Sequence, residues 1–188
     1  MTWVIIALGY LIGAIPTAYI VGRIIRNEDI RQLGDGNMGA QNAFLQLGHK
    51  IGVAVGIIDA TKGALVILIA QRAGISEIAG LFGGGATVIG HNWPVFLGFR
   101  GGRGESTTIG ILLILVTKPM LIVAGPAILT LILSRNVILA SAVLFAPLPF
   151  VCWWLGTPGM LVSYSIALPC LVGLTHLLRI RQTVTRPT

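Results

Sequence analysis

Acidic side chains are nearly missing from this chain: six Asp and Glu stand against thirteen Lys and Arg, and residues of either charge make up only 10% of the 188. Water-facing domains carry about a quarter of their residues as charges, so a soluble globular fold is excluded. Cysteine is limited to Cys152 and Cys170, both inside apolar runs with no metal-ligand or disulfide-framework spacing around them. A disulfide scaffold and a cysteine-based metal centre are therefore excluded, and both residues are expected to be packing residues. No basic stretch precedes the first apolar segment, which is also too long for the core of a signal peptide, so it is expected to be a retained span. The net charge of +7 suggests nucleic acid in a soluble protein, but here membrane topology accounts for it and no nucleic-acid partner is expected.

What the chain has in quantity is apolar surface: 55% of residues are hydrophobic and the mean hydropathy is +0.89. Bilayer-spanning helices need about 20 residues each. Such stretches fall at roughly 3 to 22, 51 to 70, 78 to 98, 108 to 117, 119 to 134, 137 to 155 and 160 to 178, of which the fourth and fifth are separated only by Lys118 and Pro119. The expected fold is an all-α polytopic membrane protein with seven transmembrane helices, forming a single membrane-embedded domain over residues 1–188. Five or six spans are the alternatives. With seven, one side collects ten cationic residues (Arg23, Arg26, Arg31, Lys50, Arg100, Arg103, Arg135, Arg179, Arg181 and Arg186) and the other only Arg72 and Lys118. Positive charge favours the cytoplasmic side, which puts the N-terminus outside and the C-terminus in the cytoplasm.

Two loops on the expected cytoplasmic side hold the unusual chemistry. In the first, "RNEDIRQLGDGNMGAQNAFLQLGHK", Gly34, Gly36 and Gly39 bracket Asp35 and Asn37. A Gly-x-Gly-x-x-Gly nucleotide pattern is not expected at these positions, and no strand precedes them to build a dinucleotide fold. The glycines allow backbone N–H groups to approach a ligand, with Asn37 and Asn42 as neutral hydrogen-bonding side chains; an interfacial turn that only satisfies its own backbone is the alternative. In the second, "GHNWPVFLGFRGGRGEST", Gly101, Gly102 and Gly104 interleave with Arg100 and Arg103. Exposed N–H groups and guanidinium donors there suit a small anion such as phosphate, and a span starting near Ser106 would aim its N-terminus at the same place. Arginines serving only as membrane-side anchors are the competing reading. His91, an ionisable residue inside an apolar segment, is a functional candidate by default, either as an acid–base group or as a residue that orients the loop. Asp59 and Lys62 sit three apart on one helix face and are expected to pair with each other.

The runs "GDGNMGAQN" and "GHNWPVFLGFRGGRGEST", together with "IDATKG" in the second span, resemble the signature blocks of the bacterial acyl-phosphate-dependent glycerol-3-phosphate acyltransferases, the PlsY family. The resemblance extends over nearly the whole chain. It implies a multi-pass enzyme of the bacterial inner cell membrane, monomeric and working without a metal or other cofactor. The implied reaction moves an acyl chain from acyl phosphate to the 1-hydroxyl of glycerol 3-phosphate, giving lysophosphatidic acid and phosphate at the entry to phospholipid synthesis. Its partners are then those two substrates and membrane lipid. The implied catalytic residues are His91 and Arg103. The implied substrate- and phosphate-binding residues are Asp35, Gly36, Asn37, Gly39, Asn42, Arg100, Gly101, Gly102, Gly104, Thr107 and Arg179.

The chain also departs from the family pattern. Asp35 stands where the family has a phosphate-contacting serine, Gln41 where it has threonine and Leu45 where it has an arginine clamp; Arg100 and Arg103 replace lysines, Glu105 replaces a small apolar residue, and Arg179 replaces asparagine. Two like charges about 4 Å apart near a protein surface repel by roughly 4 kcal/mol, so Asp35 is compatible with a bound phosphate only if it is paired, with Arg103 or Arg179 as partners, while Glu105 is positioned in sequence to neutralise Arg100. Two further readings stay open: an acyltransferase with a less anionic acceptor, and a catalytically silent relative that binds lipid. A transporter is disfavoured because the charged groups cluster at one face.

Overall fold

The protein is described here by a computed structural model covering residues 1–184, with side chains described through Leu178. Every regular element among the described residues is helical: α1 (Thr2–Gly13), α2 (Thr17–Arg26), α3 (Ala40–Gln46), α4 (His49–Arg72), α5 (Glu77–Asn92), α6 (Glu105–Leu115), α7 (Thr117–Ser134), α8 (Val137–Phe145), α9 (Leu148–Trp154) and α10 (Gly159–Val184). Five stretches are long and apolar enough to cross a membrane: Thr2–Arg26, His49–Arg72, Thr117–Ser134, Val137–Trp154 and Gly159–Leu178. Their large apolar side chains face outward, as with Leu121, Ile132 and Leu133 on α7, which is the surface a lipid-facing helix presents.

Several expected spans change their boundaries. The first is two helices, because Pro16 lacks an N–H and restricts Ile15, interrupting the helix over Ala14–Pro16. The third stops at Asn92 and continues as a short 3-10 turn over Val95–Leu97, not as a helix to residue 98. The fourth and fifth are separate helices, α6 and α7, but the break falls at Val116, ahead of Lys118 and Pro119. The sixth is interrupted between α8 and α9 at Ala146–Pro147. Helices α5, with 16 residues, and α6, with 11, are shorter than a full perpendicular crossing requires.

The described residues form two compact units: residues 1–111 with those from 172 on, and residues 112–171. In the second, α7 packs on α8 and α9, and Cys152 and Cys170 are free thiols, one buried and one exposed. In the first, α1 lies along α5 and both contact α4. Between apolar helices in lipid there is little hydrophobic drive, so association rests on close packing and favours small residues. The seams follow that rule. A Cβ at Gly13 would strike the Thr87 carbonyl, one at Gly90 the Tyr10 carbonyl, and one at Gly110 of α6 the Ala60 carbonyl of α4.

The α1–α2 break is tied to α4 by the pair expected from sequence. Lys62 Nζ donates to Asp59 Oδ1 at 2.6 Å and to the Ile15 carbonyl at 2.6 Å, while Thr17 Oγ1 donates to the same Asp59 oxygen at 2.7 Å. Both charged residues are buried, and a buried pair left with one partner is strongly destabilising.

Gly90→Ala is expected to lower the stability of detergent-solubilised protein by about 1–3 kcal/mol, since backbone must shift to admit the methyl. Gly125→Ala on α7, with nothing within 4 Å of the added atom, is expected to leave thermal unfolding unchanged or slightly raised. Equal effects at the two sites would refute the seam.

Candidate active site

The first polar loop is built before any ligand arrives. Helix α2 ends at Asn27 in the left-handed region (φ 55°). Asp29 then caps a 3-10 turn over Ile30–Gln32, accepting the Arg31 N–H at 3.1 Å. The Arg31 guanidinium grips the same carboxylate through Nε (2.9 Å) and Nη2 (2.7 Å), and Arg23 adds a third contact at 3.2 Å. Both arginines lie over the Tyr19 ring, at 4.8 and 5.5 Å from its centre. Chiefly because of the Arg31 side-chain bond, the Asp29 carboxyl is lowered to about 2. Ile30, fully buried, seats the turn.

Beyond it the chain reverses through Gly34 (φ 57°) and Gly36 (φ 69°), a conformation that glycine adopts without strain. The spacing of Gly34, Gly36 and Gly39 coincides with a dinucleotide-binding pattern, yet α2 and a 3-10 turn precede it instead of a strand, so that motif's fold is not present. Asn42, expected to meet a ligand, is buried under the loop, where its Nδ2 donates to the carbonyls of Leu33 (3.0 Å) and Asn37 (2.9 Å). Its donors belong to the scaffold. Asn37 Oδ1, by contrast, is buried without a partner. Gly39 is the N-cap of α3, and Leu45 on that helix is 67% exposed.

The second loop folds back on the end of α5. Gly101 N–H donates to the Asn92 carbonyl (3.1 Å) and Gly102 N–H to the His91 carbonyl (3.0 Å). These amides therefore tie the loop to the helix, and the expectation that they converge freely on an anion is corrected. Glycine is required because a Cβ at residue 101 would strike the His91 carbonyl, and one at residue 102 would strike His91 Nε2. At Gly104 (φ 80°) it would meet Asn92 Oδ1 at 2.6 Å. Asn92 is itself pinned by its Nδ2, which donates to Thr175 Oγ1 on α10 at 3.0 Å.

His91 is buried between two neighbours: its Nδ1 lies 3.8 Å from Asp59 Oδ1 and its Nε2 abuts Gly102. Ring and loop are packed together. A small cleft of about 180 Å³, counting its open mouth, reaches it between Pro16, Thr17, Met38, Pro94 and Gly102. Glu105 is the first residue of α6, where a carboxylate complements the positive helix end. Thr107 is fully buried in α6, its hydroxyl without a partner, and Arg100 is exposed.

The two loops meet in an ion pair: Arg103 Nη2 donates to Asp35 Oδ2 at 2.8 Å. Of the two partners expected for Asp35, this is one; the side chain of the other, Arg179, lies outside the described residues. Arg103 Nε is buried without a hydrogen-bond partner. His176 on α10 lies within electrostatic reach of both Arg103 and Asp35. Sequence reasoning missed it, although its place beside Thr175 in the "THLLRIRQ" run was available as a signal.

With this geometry in place, comparison with known proteins decides the family. The glycerol-3-phosphate acyltransferase family matches residues 3–186. This chain belongs to that family. Glycerol-3-phosphate acyltransferase 4 of Dehalococcoides mccartyi is 50% identical over 182 residues, covering 97% of this chain and 98% of the relative. Among solved structures, the glycerol 3-phosphate form of PlsY, an integral membrane glycerol 3-phosphate acyltransferase, superposes with a TM-score of 0.86 at 30% identity, covering 98% of this chain and 92% of that one. Its lysophosphatidic acid form gives 0.84 at 29%, with the same coverage. The chain is thus a multi-pass membrane protein of an acyltransferase family of phospholipid biosynthesis.

Because the Asp29 carboxyl titrates lower in the fold (about 2) than in the unfolded chain (3.8), its contribution to stability is complete above about pH 4 and is lost as pH falls toward 2. Asp29→Asn is expected to lower stability by about 1 kcal/mol near pH 7, after allowing for solvent screening. The gap from wild type should close over that acidic window in thermal unfolding, and a gap independent of pH would contradict the pairing.

Proposed function

We propose that the protein transfers an acyl chain from acyl phosphate to the 1-hydroxyl of glycerol 3-phosphate, releasing lysophosphatidic acid and inorganic phosphate. The observation that carries this reading is the meeting of the two polar loops at Arg103, beside a histidine-backed glycine turn, in a chain alike over nearly its full length to an enzyme solved in glycerol 3-phosphate and lysophosphatidic acid forms. Seven crossings belong to the same reading, with the N-terminus outside and both loops facing the cytoplasm. Residues 1–188 act as one acyltransferase domain in the inner bacterial membrane, as a monomer.

The chemistry asks little covalent work of the protein. The substrate hydroxyl oxygen attacks the acyl carbonyl carbon, the bond from that carbon to the phosphate oxygen breaks, and the departing phosphate keeps the electron pair and takes the hydroxyl proton. A mixed anhydride is already activated, so positioning and charge compensation suffice. Arg103 offsets phosphate charge through its guanidinium. Arg100, Asn37 and Thr107 supply further polar groups. Gly36 and Gly39 shape the first loop, while Gly101, Gly102 and Gly104 let the second lie against His91 and Asn92. His91 and Asn42 act by holding the two loops.

Purified protein in detergent, given palmitoyl phosphate and glycerol 3-phosphate, is expected to release phosphate and form lysophosphatidic acid in equal amounts. Phosphate release that ignores glycerol 3-phosphate would replace this reading with another acceptor or hydrolysis. No turnover by folded protein would leave a silent lipid-binding relative. Gly102→Ala, which pushes the loop off His91, is expected to lower kcat about 100-fold while the protein stays folded. An unchanged kcat would remove the loop from the site.

A further inference from the structure

We propose that Asp35 is a built-in competitor for the guanidinium of Arg103, so that a phosphate monoester reaches this arginine only by displacing a carboxylate of the protein. The inference rests on the acyl-transfer reading for its place in the reaction, but the competition itself is a property of the two loops.

The carboxylate is held on both oxygens. Oδ2 accepts from Arg103 Nη2 at 2.8 Å, and Oδ1 accepts the Asn37 N–H at 3.0 Å. The second bond is a local turn that fixes where the carboxylate points, with Gly34 and Gly36 on either side in left-handed conformations. A Cβ at Gly34 would strike Asn42 Oδ1, so this loop tip has little freedom to be rebuilt. Arg103, for its part, lies between two glycines wedged against His91 and Asn92, and its side chain is 20% exposed against 43% for that of Asp35. The arginine is therefore the fixed member of the pair and the carboxylate the displaceable one.

The strengths fit an exchangeable contact. A solvent-exposed ion pair contributes little, on the order of 1 kcal/mol or less, whereas phosphate takes two parallel guanidinium bonds and carries more charge. Arg103 Nε, buried without a hydrogen-bond partner, is a second donor for a phosphate to take up once the carboxylate leaves that side of the guanidinium. Entry of a phosphate thus exchanges one anion for another, and departure of a phosphate is assisted by the carboxylate returning. The site gives up affinity for any phosphate, substrate or product, and gains rapid exchange.

Asp35→Asn tests this directly, because the amide keeps an oxygen to accept the Asn37 N–H and removes only the charge; Asp35→Ser is the second variant. Inorganic phosphate is the probe, its affinity read by titration calorimetry on the detergent-purified full chain. Asp35→Asn is expected to bind it about tenfold more tightly. In an Arg103→Gln background the same change is expected to have a much smaller effect. The KM values for glycerol 3-phosphate and for palmitoyl phosphate show which substrate's phosphate occupies Arg103, since only that one should fall in step. Tighter phosphate binding in a variant that still makes no lysophosphatidic acid would keep the competitor and overturn the acyl-transfer reading. Unchanged or weaker phosphate binding by both folded variants would overturn the competitor.

Discussion

One carboxylate oxygen, Asp59 Oδ1, gathers the elements on which the site stands. Lys62 and Thr17 bond to it, the His91 ring lies 3.8 Å away, and Lys62 reaches on to the carbonyl released at Ile15 by the α1–α2 break. A charge pair away from water persists only when its partners are supplied in good geometry. Supplying them here forces α4, the helix break and the end of α5 into register. Because His91 is one of those elements and Gly102 rests on its ring, the position of the arginine loop follows from a buried contact.

Glycine does the complementary work by omission. In the helix seams it lets backbone meet backbone, as Gly90 does at Tyr10 and Gly110 at Ala60. In the loop, Gly101 and Gly102 let two amides reach the terminal carbonyls of α5, which would otherwise be unpaired at a helix end. The Gly101 and Gly102 amides, which read as anion donors, are thus occupied in holding the loop.

The departures from the family pattern acquire physical meaning in the same frame. Asp35 is paired with Arg103, so the carboxylate does not stand beside the loop as an uncompensated charge. Glu105 opens α6 and is favoured there by the helix dipole. Leu45 faces outward from α3.

Much was legible in the amino acids themselves. Scarce charge and long apolar runs determine a helical membrane protein, since only internally bonded backbone survives in lipid. The Asp59–Lys62 pair followed from helical spacing, and the two glycine-rich blocks identified the family. Other features depended on distances between segments far apart in sequence. That Asn42 is committed to the Leu33 and Asn37 carbonyls, that the Gly101 and Gly102 amides are already bonded, that His176 on α10 comes within electrostatic reach of Arg103 and Asp35, and that Asp35 meets Arg103 across 68 residues are decisions of the tertiary structure. Composition and periodicity constrain what each segment can bury, whereas the partner of a polar group is settled only when packing brings one donor and one acceptor within 3 Å of each other.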